Sequence, residues 1–272
     1  MKIFAIRDET DSSKKDLAFL LYYEGAKKFY IELPDDADPW DTPLLLSAFA
    51  KRGERSINSY WSELWVRQRV VPADRQNIHQ ILKDLNLKTY DEFPLLLSSM
   101  GRCAQDDYYL VPLSEGQLPR EIAKRFELRV EDIVPLEDNH LLVFFRNGKV
   151  KKCDLSDYFQ DHPQFAILSK KAEYFRNMQM QAGGYGIQWS DSLMIADHEL
   201  YAVGKNVPLT AEDFRAFVTE RIVNTQEAAE LLGCSRQYIN ELVRTGKLQP
   251  IKSTDKNTMF LKSDLLKRIW QA

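Results

Sequence analysis

Residues 222–262 read IVNTQEAAELLGCSRQYINELVRTGKLQPIKSTDKNTMFLK. The periodicity of this stretch predicts two short helices joined by a tight turn and followed by a β-hairpin. Asn224 stands at an N-cap position, and Glu227 three residues on completes a capping box. Ala228, Ala229, Leu231 and Leu232 give the first helix an apolar face, and Gly233 ends it. Ser235 caps the second helix, whose inward positions are Ile239, Leu242 and Val243. Gly246 stops that helix where a left-handed residue is needed. Residues 248–252 and 258–261 suit two strands with 253–257 as their turn, and Ser263 or Asp264 opens a closing helix bearing Leu265, Leu266, Ile269 and Trp270.

Burying Ile239, Leu242 and Val243 turns Arg236, Gln237, Tyr238, Asn240, Glu241 and Arg244 outward. Arg and Gln near the start of a second helix reach base edges when that helix enters a major groove. Ser235, Arg236, Gln237, Tyr238 and Asn240 are therefore the candidate base-contacting residues. Thr225, Arg244, Lys247, Lys252, Lys256 and Asn257 are the candidate phosphate contacts, the last three at the tip of a hairpin placed to lie along a backbone.

The stretch EAAELLGCSRQYINELVRTGKL (227–248), followed by MFLKSDLLK (259–267), resembles the winged helix-turn-helix of excisionases and MerR-type regulators. Several features coincide at fixed spacing: Ala228-Ala229, Leu232-Gly233, Ser235-Arg236-Gln237, Thr245-Gly246-Lys247 and Asp264-Leu265. The resemblance implies a fold of roughly 50 residues that binds duplex DNA. This sequence departs from it at Glu241, where many relatives carry a basic or neutral residue, and in a less basic wing.

Charge separates this tail from the rest. Residues 221–272 carry nine Lys/Arg against five Asp/Glu, a net +4, while residues 1–220 carry 28 against 35, a net −7. An acidic body with a basic tail approaches phosphate tail-first. The composition, 44% hydrophobic and 28% charged, is that of an ordinary soluble globular protein of two or three domains. No apolar run approaches the roughly 18 residues needed to span a bilayer, and residues 1–15 lack the apolar core of a secretory signal. Cys103, Cys153 and Cys234 lie far apart with neither disulfide nor zinc spacing. A reducing cytoplasm is the expected setting.

Residues 2–6, 17–23 and 28–33 read as strands, and a polar loop leads to helical patterns at 44–51, 57–70, 74–85 and 90–100. Residues 107–113 return to strand character, 113–119 read as a linker and 120–126 as a short helix. Tyr22, Tyr23, Phe29 and Tyr30 alternate on a hairpin and are expected in the core or on a dimer surface rather than on a stacking platform. Arg67, Arg69 and Arg75, with Lys51, Arg52 and Arg55, interleave with acids and are expected on a solvated helix face. Strands at 132–136, 140–145 and 149–154 follow, the last pair joined by Asn147-Gly148, a strong hairpin signal. Helical or loop segments at 155–159 and 171–175 precede a final strand at 187–189. The stretches FRNGKVKKCDLSDYF (145–159), FAILSKKAEYF (165–175) and GYGIQWSDSLMIADHELY (184–201) resemble a small bacterial module known only as a domain of unknown function. That resemblance implies a regulatory setting, next to helix-turn-helix or toxin–antitoxin genes, and supplies no chemistry.

The remaining motifs do not assemble a catalytic site. Gly183, Gly184 and Gly186 precede a strand, so they are expected as turn glycines rather than a phosphate cradle. The four histidines share no ligand spacing, and Asp197-His198-Glu199 is expected as a solvated loop. Consecutive carboxylates at Asp35-Asp36 and Asp106-Asp107 point to opposite faces of an extended chain. Thr210 to Asp213 form a capping box for a helix whose stripe, Phe214, Phe217 and Val218, is expected to pack within the chain rather than form a dimer seam. The sequence thus predicts a multidomain α+β protein without cofactor or metal and not an enzyme. It has a mixed α+β region (1–115), a small hairpin-rich module (116–206) and a winged helix-turn-helix (207–272). Double-stranded DNA is the expected partner, bound by a homodimer with no membrane association, and residues 1–206 are open to a protein partner. Two alternatives stay open: an antitoxin-like autoregulator, and a protein-interaction module whose helix-turn-helix no longer binds DNA.

Overall fold

The computed structural model describes residues 1–206, 209, 211–254 and 257–271. The chain divides into two compact units, Met1–Lys124 and Arg125–Ala272. The first unit holds strands β1 (Lys2–Asp8), β2 (Ala18–Tyr23), β3 (Lys28–Glu32), β4 (Ser56–Ile57) and β5 (Tyr108–Leu113), paired antiparallel in the order β4-β3-β2-β1-β5. Every second residue, including Phe4, Ile6, Leu20, Tyr22, Phe29 and Ile31, enters one core with helices α1 (Leu44–Arg52), α2 (Ser59–Arg67), α3 (Ile78–Asp84) and α4 (Glu92–Ser99). Tyr22, Tyr23, Phe29 and Tyr30 are all buried, and Tyr22 stacks on Phe29 at 4.5 Å. These rings are core, as their alternation predicts.

Two expectations for this unit need correction. The helix expected over 57–70 starts later, because Ile57 pairs with Ile31 in the sheet and the Asn58 side chain accepts the Trp61 amide at 3.2 Å. Arg69 does not lie on a solvated face: it is buried over the Trp65 ring at 3.7 Å and paired with Asp106. Of the others, Arg67 donates to Glu92 at 2.9 Å and Arg52 pairs with Glu54, while Arg55 donates to the Ala50 and Asp35 carbonyl oxygens and Lys51 lies over the Trp40 ring. Helix α5 (Arg120–Glu127) crosses the division between the units.

The second unit begins with β6 (Val130–Pro135), β7 (His140–Phe145) and β8 (Val150–Asp154), the predicted meander. Both turns need left-handed backbone, supplied by Asp138 and Asn139 in one and Gly148 in the other. Short helices α6 (Ser156–Asp161), α7 (Ala166–Lys170) and α8 (Ala172–Arg176) follow. A second sheet takes β9 (Gln179–Met180), β10 (Gly186–Ser190) and β11 (Leu193–Ala196), in the order β11-β10-β9. Helix α9 (Asp197–Val203) leads to β12 (Lys205–Asn206), which pairs with β8. The expected solvated loop at Asp197-His198-Glu199 is instead the first turn of α9. Asp197 is buried there and accepts from Arg129 Nη1 at 2.7 Å, with the guanidinium over the Tyr185 ring at 3.5 Å.

Helix α10 (Ala211–Arg221) joins this module to the last one; Thr210 of its expected capping box lies outside the described residues. Its apolar stripe splits. Phe217 packs on Phe144 at 4.9 Å, whereas Phe214 and Val218 stay 61% and 41% exposed. Then come β13 (Ile222–Asn224), α11 (Thr225–Leu232), α12 (Arg236–Arg244), β14 (Lys252–Ser253), β15 (Thr258–Leu261) and α13 (Lys262–Gln271), with the strands in the order β13-β15-β14. Among the described residues no helix is long and apolar enough to cross a membrane.

The glycines at 184 and 186 are steric necessities. A Cβ on Gly184 would sit 2.1 Å from the Val130 carbonyl oxygen, and one on Gly186 would sit 2.1 Å from that of Ile195, both at positive φ. Gly184 closes a turn as expected, whereas Gly186 already belongs to β10 and pairs with Ala196. Gly186→Ala is expected to destabilise the protein by at least about 2 kcal/mol, measured by urea denaturation.

Candidate nucleic-acid interface

The winged domain folds around seven buried residues: Ala228 and Ala229 of α11, Ile239 and Leu242 of α12, Leu248, Phe260 of β15 and Leu265 of α13. Val243, expected among them, is only half-buried and packs at the edge of this cluster. The helix ends form as the sequence predicts. The Asn224 side chain accepts the amides of Gln226 at 2.8 Å and Glu227 at 3.1 Å, while the Glu227 carboxylate accepts the Asn224 amide at 2.8 Å. The Ser235 hydroxyl accepts the Tyr238 amide at 3.2 Å. Gly233 and Gly246 adopt φ of 62° and 69°.

With about 100° of rotation per residue, the buried pair Ile239 and Leu242 places Gln237, Glu241 and Arg244 on the opposite side of α12. Ser235, Arg236, Gln237, Tyr238, Asn240, Glu241 and Arg244 are all exposed. Arg236 lies toward α11, where its Nη2 donates to Gln226 Oε1 at 2.7 Å. Gln226 in turn donates to Glu230 Oε1 at 3.1 Å. The outward face thus offers guanidinium, amide and carboxylate groups together, the types that pair with guanine, adenine and cytosine edges respectively.

The candidate phosphate contacts are more scattered. Thr225 is half-buried at the start of α11, its hydroxyl 3.5 Å from the Thr258 carbonyl oxygen. Lys247 is exposed just beyond α12, and Arg268 of α13 donates to its carbonyl oxygen at 2.8 Å. Lys252 and Asn257 are exposed on the two arms of the wing; Lys256 lies outside the described residues. The wing itself departs from expectation. Its first arm enters the ladder only at Lys252–Ser253 rather than across 248–252. Lys247 and Leu248 still donate to the Leu242 carbonyl oxygen, at 2.9 and 3.1 Å, and Pro250 has no N–H to pair. A third strand, β13, lies on the other side of β15 through the register Ile222↔Leu261 to Asn224↔Met259. Sequence reading also missed Gln226 as the partner of Arg236, since that bond crosses between helices and no spacing rule within one helix marks it.

Two cations at the base of the domain sit in low-dielectric surroundings. Burial pushes the Arg221 guanidinium down to about 10. Burial, then the nearby charge of Arg221, lowers the Lys262 ammonium as well. Arg221 pairs with Asp132 of β6, and Lys267 of α13 donates to Glu131 at 2.5 Å.

Comparison with known proteins agrees with this layout. Residues 222–272 match the family described as "Helix-turn-helix domain", and residues 130–206 match "Protein of unknown function (DUF2442)". The chain therefore carries a C-terminal helix-turn-helix domain preceded by a DUF2442 module. No curated protein matches it significantly. Among solved structures it is similar to a "putative DNA binding protein" from Nitrosomonas europaea, at 22% identity over 44% of this chain and 76% of that one. The TM-score of 0.26 is too low to establish a common fold.

Removing the cap exposes two amides at the start of α11. Asn224→Ala is expected to cost about 1 kcal/mol of winged-domain stability, read as a lower urea midpoint, while Asn224→Gly costs only a few tenths.

Proposed function

We propose that this protein is a sequence-specific double-stranded DNA-binding protein that regulates transcription, with α12 as the element that enters the major groove. The observation that carries this reading is the exposure of Arg236, Gln237, Asn240 and Arg244 on one side of a helix whose other side is buried. Arg236, Gln237, Tyr238 and Asn240 would read base edges, with Ser235 at the helix start beside them. Arg244, Lys247, Lys252 and Asn257 would hold phosphates. The net +4 of residues 221–272 against −7 for the rest supports an encounter led by this domain. One helix and a short wing make few contacts, so two copies on two half-sites, about 34 Å apart or a multiple of that, supply useful affinity. The same reading places the protein in the cytoplasm with the chromosome. We assign it no catalytic step, since the buried carboxylates described in its second unit, Asp132, Asp197 and Asp213, are committed to ion pairs with Arg221, Arg129 and Lys152.

Selection of bound sequences from random duplex gives the site. On it, Arg236→Ala or Gln237→Ala is expected to weaken binding by about 1–3 kcal/mol and relax one base position, without changing the far-ultraviolet circular dichroism. Lys252→Ala should weaken all sequences alike and reduce the slope of log affinity against log salt by about 1. Unaltered affinity in both helix variants, or no binding to any duplex at low salt, would leave α12 as a protein-docking face, with Glu241 at its centre.

A further inference from the structure

Within the second unit, the DUF2442 module and the winged domain border a cleft of about 410 Å³. Its walls come from three sources. Met178 and Met180 belong to the module, Leu266 and Trp270 to α13, and Arg221 ends the helix that connects the two. Cations dominate its charged lining: Arg176, Arg221 and Lys262 face a single acid, Glu220, among the described residues.

These cations have acids nearby, Asp132 beside Arg221 and Glu220 and Glu227 near Lys262, but their hydrogen-bonding capacity is not filled. Arg221 has a side chain only 9% exposed and pairs with Asp132 through Nη2, leaving its buried Nε without an acceptor. Lys262, at the first position of α13, is half-buried. No hydrogen-bond or ion-pair partner reaches its ammonium among the described residues. Two cations close together in a partly desolvated site repel each other, and the attraction of an anion placed between them is strengthened by the same low dielectric. The volume falls in the range of small-molecule pockets, which combine an apolar lining with a few convergent polar groups.

We propose that this cleft binds a small organic carboxylate with an apolar body, the head held by Lys262 and Arg221 and the body lying on Met178, Met180, Leu266 and Trp270. One negative charge balances the unpaired Lys262, and the methionines adapt to an irregular alkyl or aromatic body. Because the ligand touches the module, the connecting helix and α13 at once, its binding adds to the Arg221–Asp132 and Lys267–Glu131 pairs that already seat the winged domain on the module, and shifts the balance of that seating. It therefore changes DNA affinity, a consequence that rests on the DNA-binding reading, whereas the site itself does not.

The test uses the full chain and decanoate, with neutral decanamide as its uncharged counterpart, by isothermal titration calorimetry without DNA. Decanoate is expected to bind at one site, and at least about ten-fold more tightly than decanamide. Lys262→Gln should weaken decanoate about ten-fold while leaving decanamide unchanged. Arg176→Gln, on the exposed lip where folding is not at stake, should weaken decanoate by a smaller factor. Equal affinity for the two probes, no binding of decanoate, or decanoate affinity unmoved in both variants overturns the proposal. A duplex mobility-shift assay with and without decanoate then reads the coupling, and a shift in DNA affinity in the wild type that Lys262→Gln abolishes supports it. Failure of the wild type to bind any duplex overturns the DNA-binding reading and leaves the calorimetric result standing.

Discussion

Ile239 and Leu242 sit in the same small cluster as Ala228, Ala229, Phe260 and Leu265, and their burial fixes the rotation of α12 about its own axis. A helix of nine residues has little stability alone. Packing of this face is what makes α12 persist, and the same packing decides which side chains remain outside. A rotation of one residue would carry Gln237 toward the core and Ile239 toward solvent, which loses apolar burial and strands an amide. The presentation of Arg236, Gln237, Asn240 and Arg244 is therefore a consequence of hydrophobic burial, and needs no separate device.

Around this small core the second unit uses charge where apolar contact is short. Arg129 with Asp197, and Arg221 with Asp132, are pairs buried on both sides. Such pairs contribute little net stability, because desolvation offsets attraction, but breaking one leaves a lone buried charge. Their effect is to define geometry: Arg129 locks the turn carrying Tyr185 to the start of α9, and Arg221 locks the last turn of α10 to β6. The winged domain thus departs from the module at a fixed point rather than from a loose tether.

What could be read from the sequence was what a few neighbouring residues decide between them. The Asn224–Glu227 box, the glycine stops at 233 and 246, and the Asn147-Gly148 turn each involve residues within one turn of each other, and each formed as read. The ladder of β13 with β15 was not legible, since Ile222 is too short a signal until Leu261 is beside it. Nor was the pair of Arg129 with Asp197, 68 residues apart, which converts an apparent solvated loop into a helix start. Arg69 was misplaced for the same reason: a basic residue among acids looks solvated until Trp65 and Asp106 close over it. At the interface itself, which residues face outward was legible from periodicity, and their partners in the free protein were not.

The bond from Arg236 to Gln226 has a bearing on how the free protein waits. A long, flexible guanidinium usually surrenders much rotamer freedom when it docks. Here a glutamine on the neighbouring helix, itself steadied by Glu230, already restrains that side chain in one pose near the leading end of α12. On the proposed DNA-binding reading, Gln226 would act as a placeholder: it gives the guanidinium a neutral acceptor that a base or phosphate oxygen could replace one for one, so that docking would exchange a contact instead of recruiting a disordered arm.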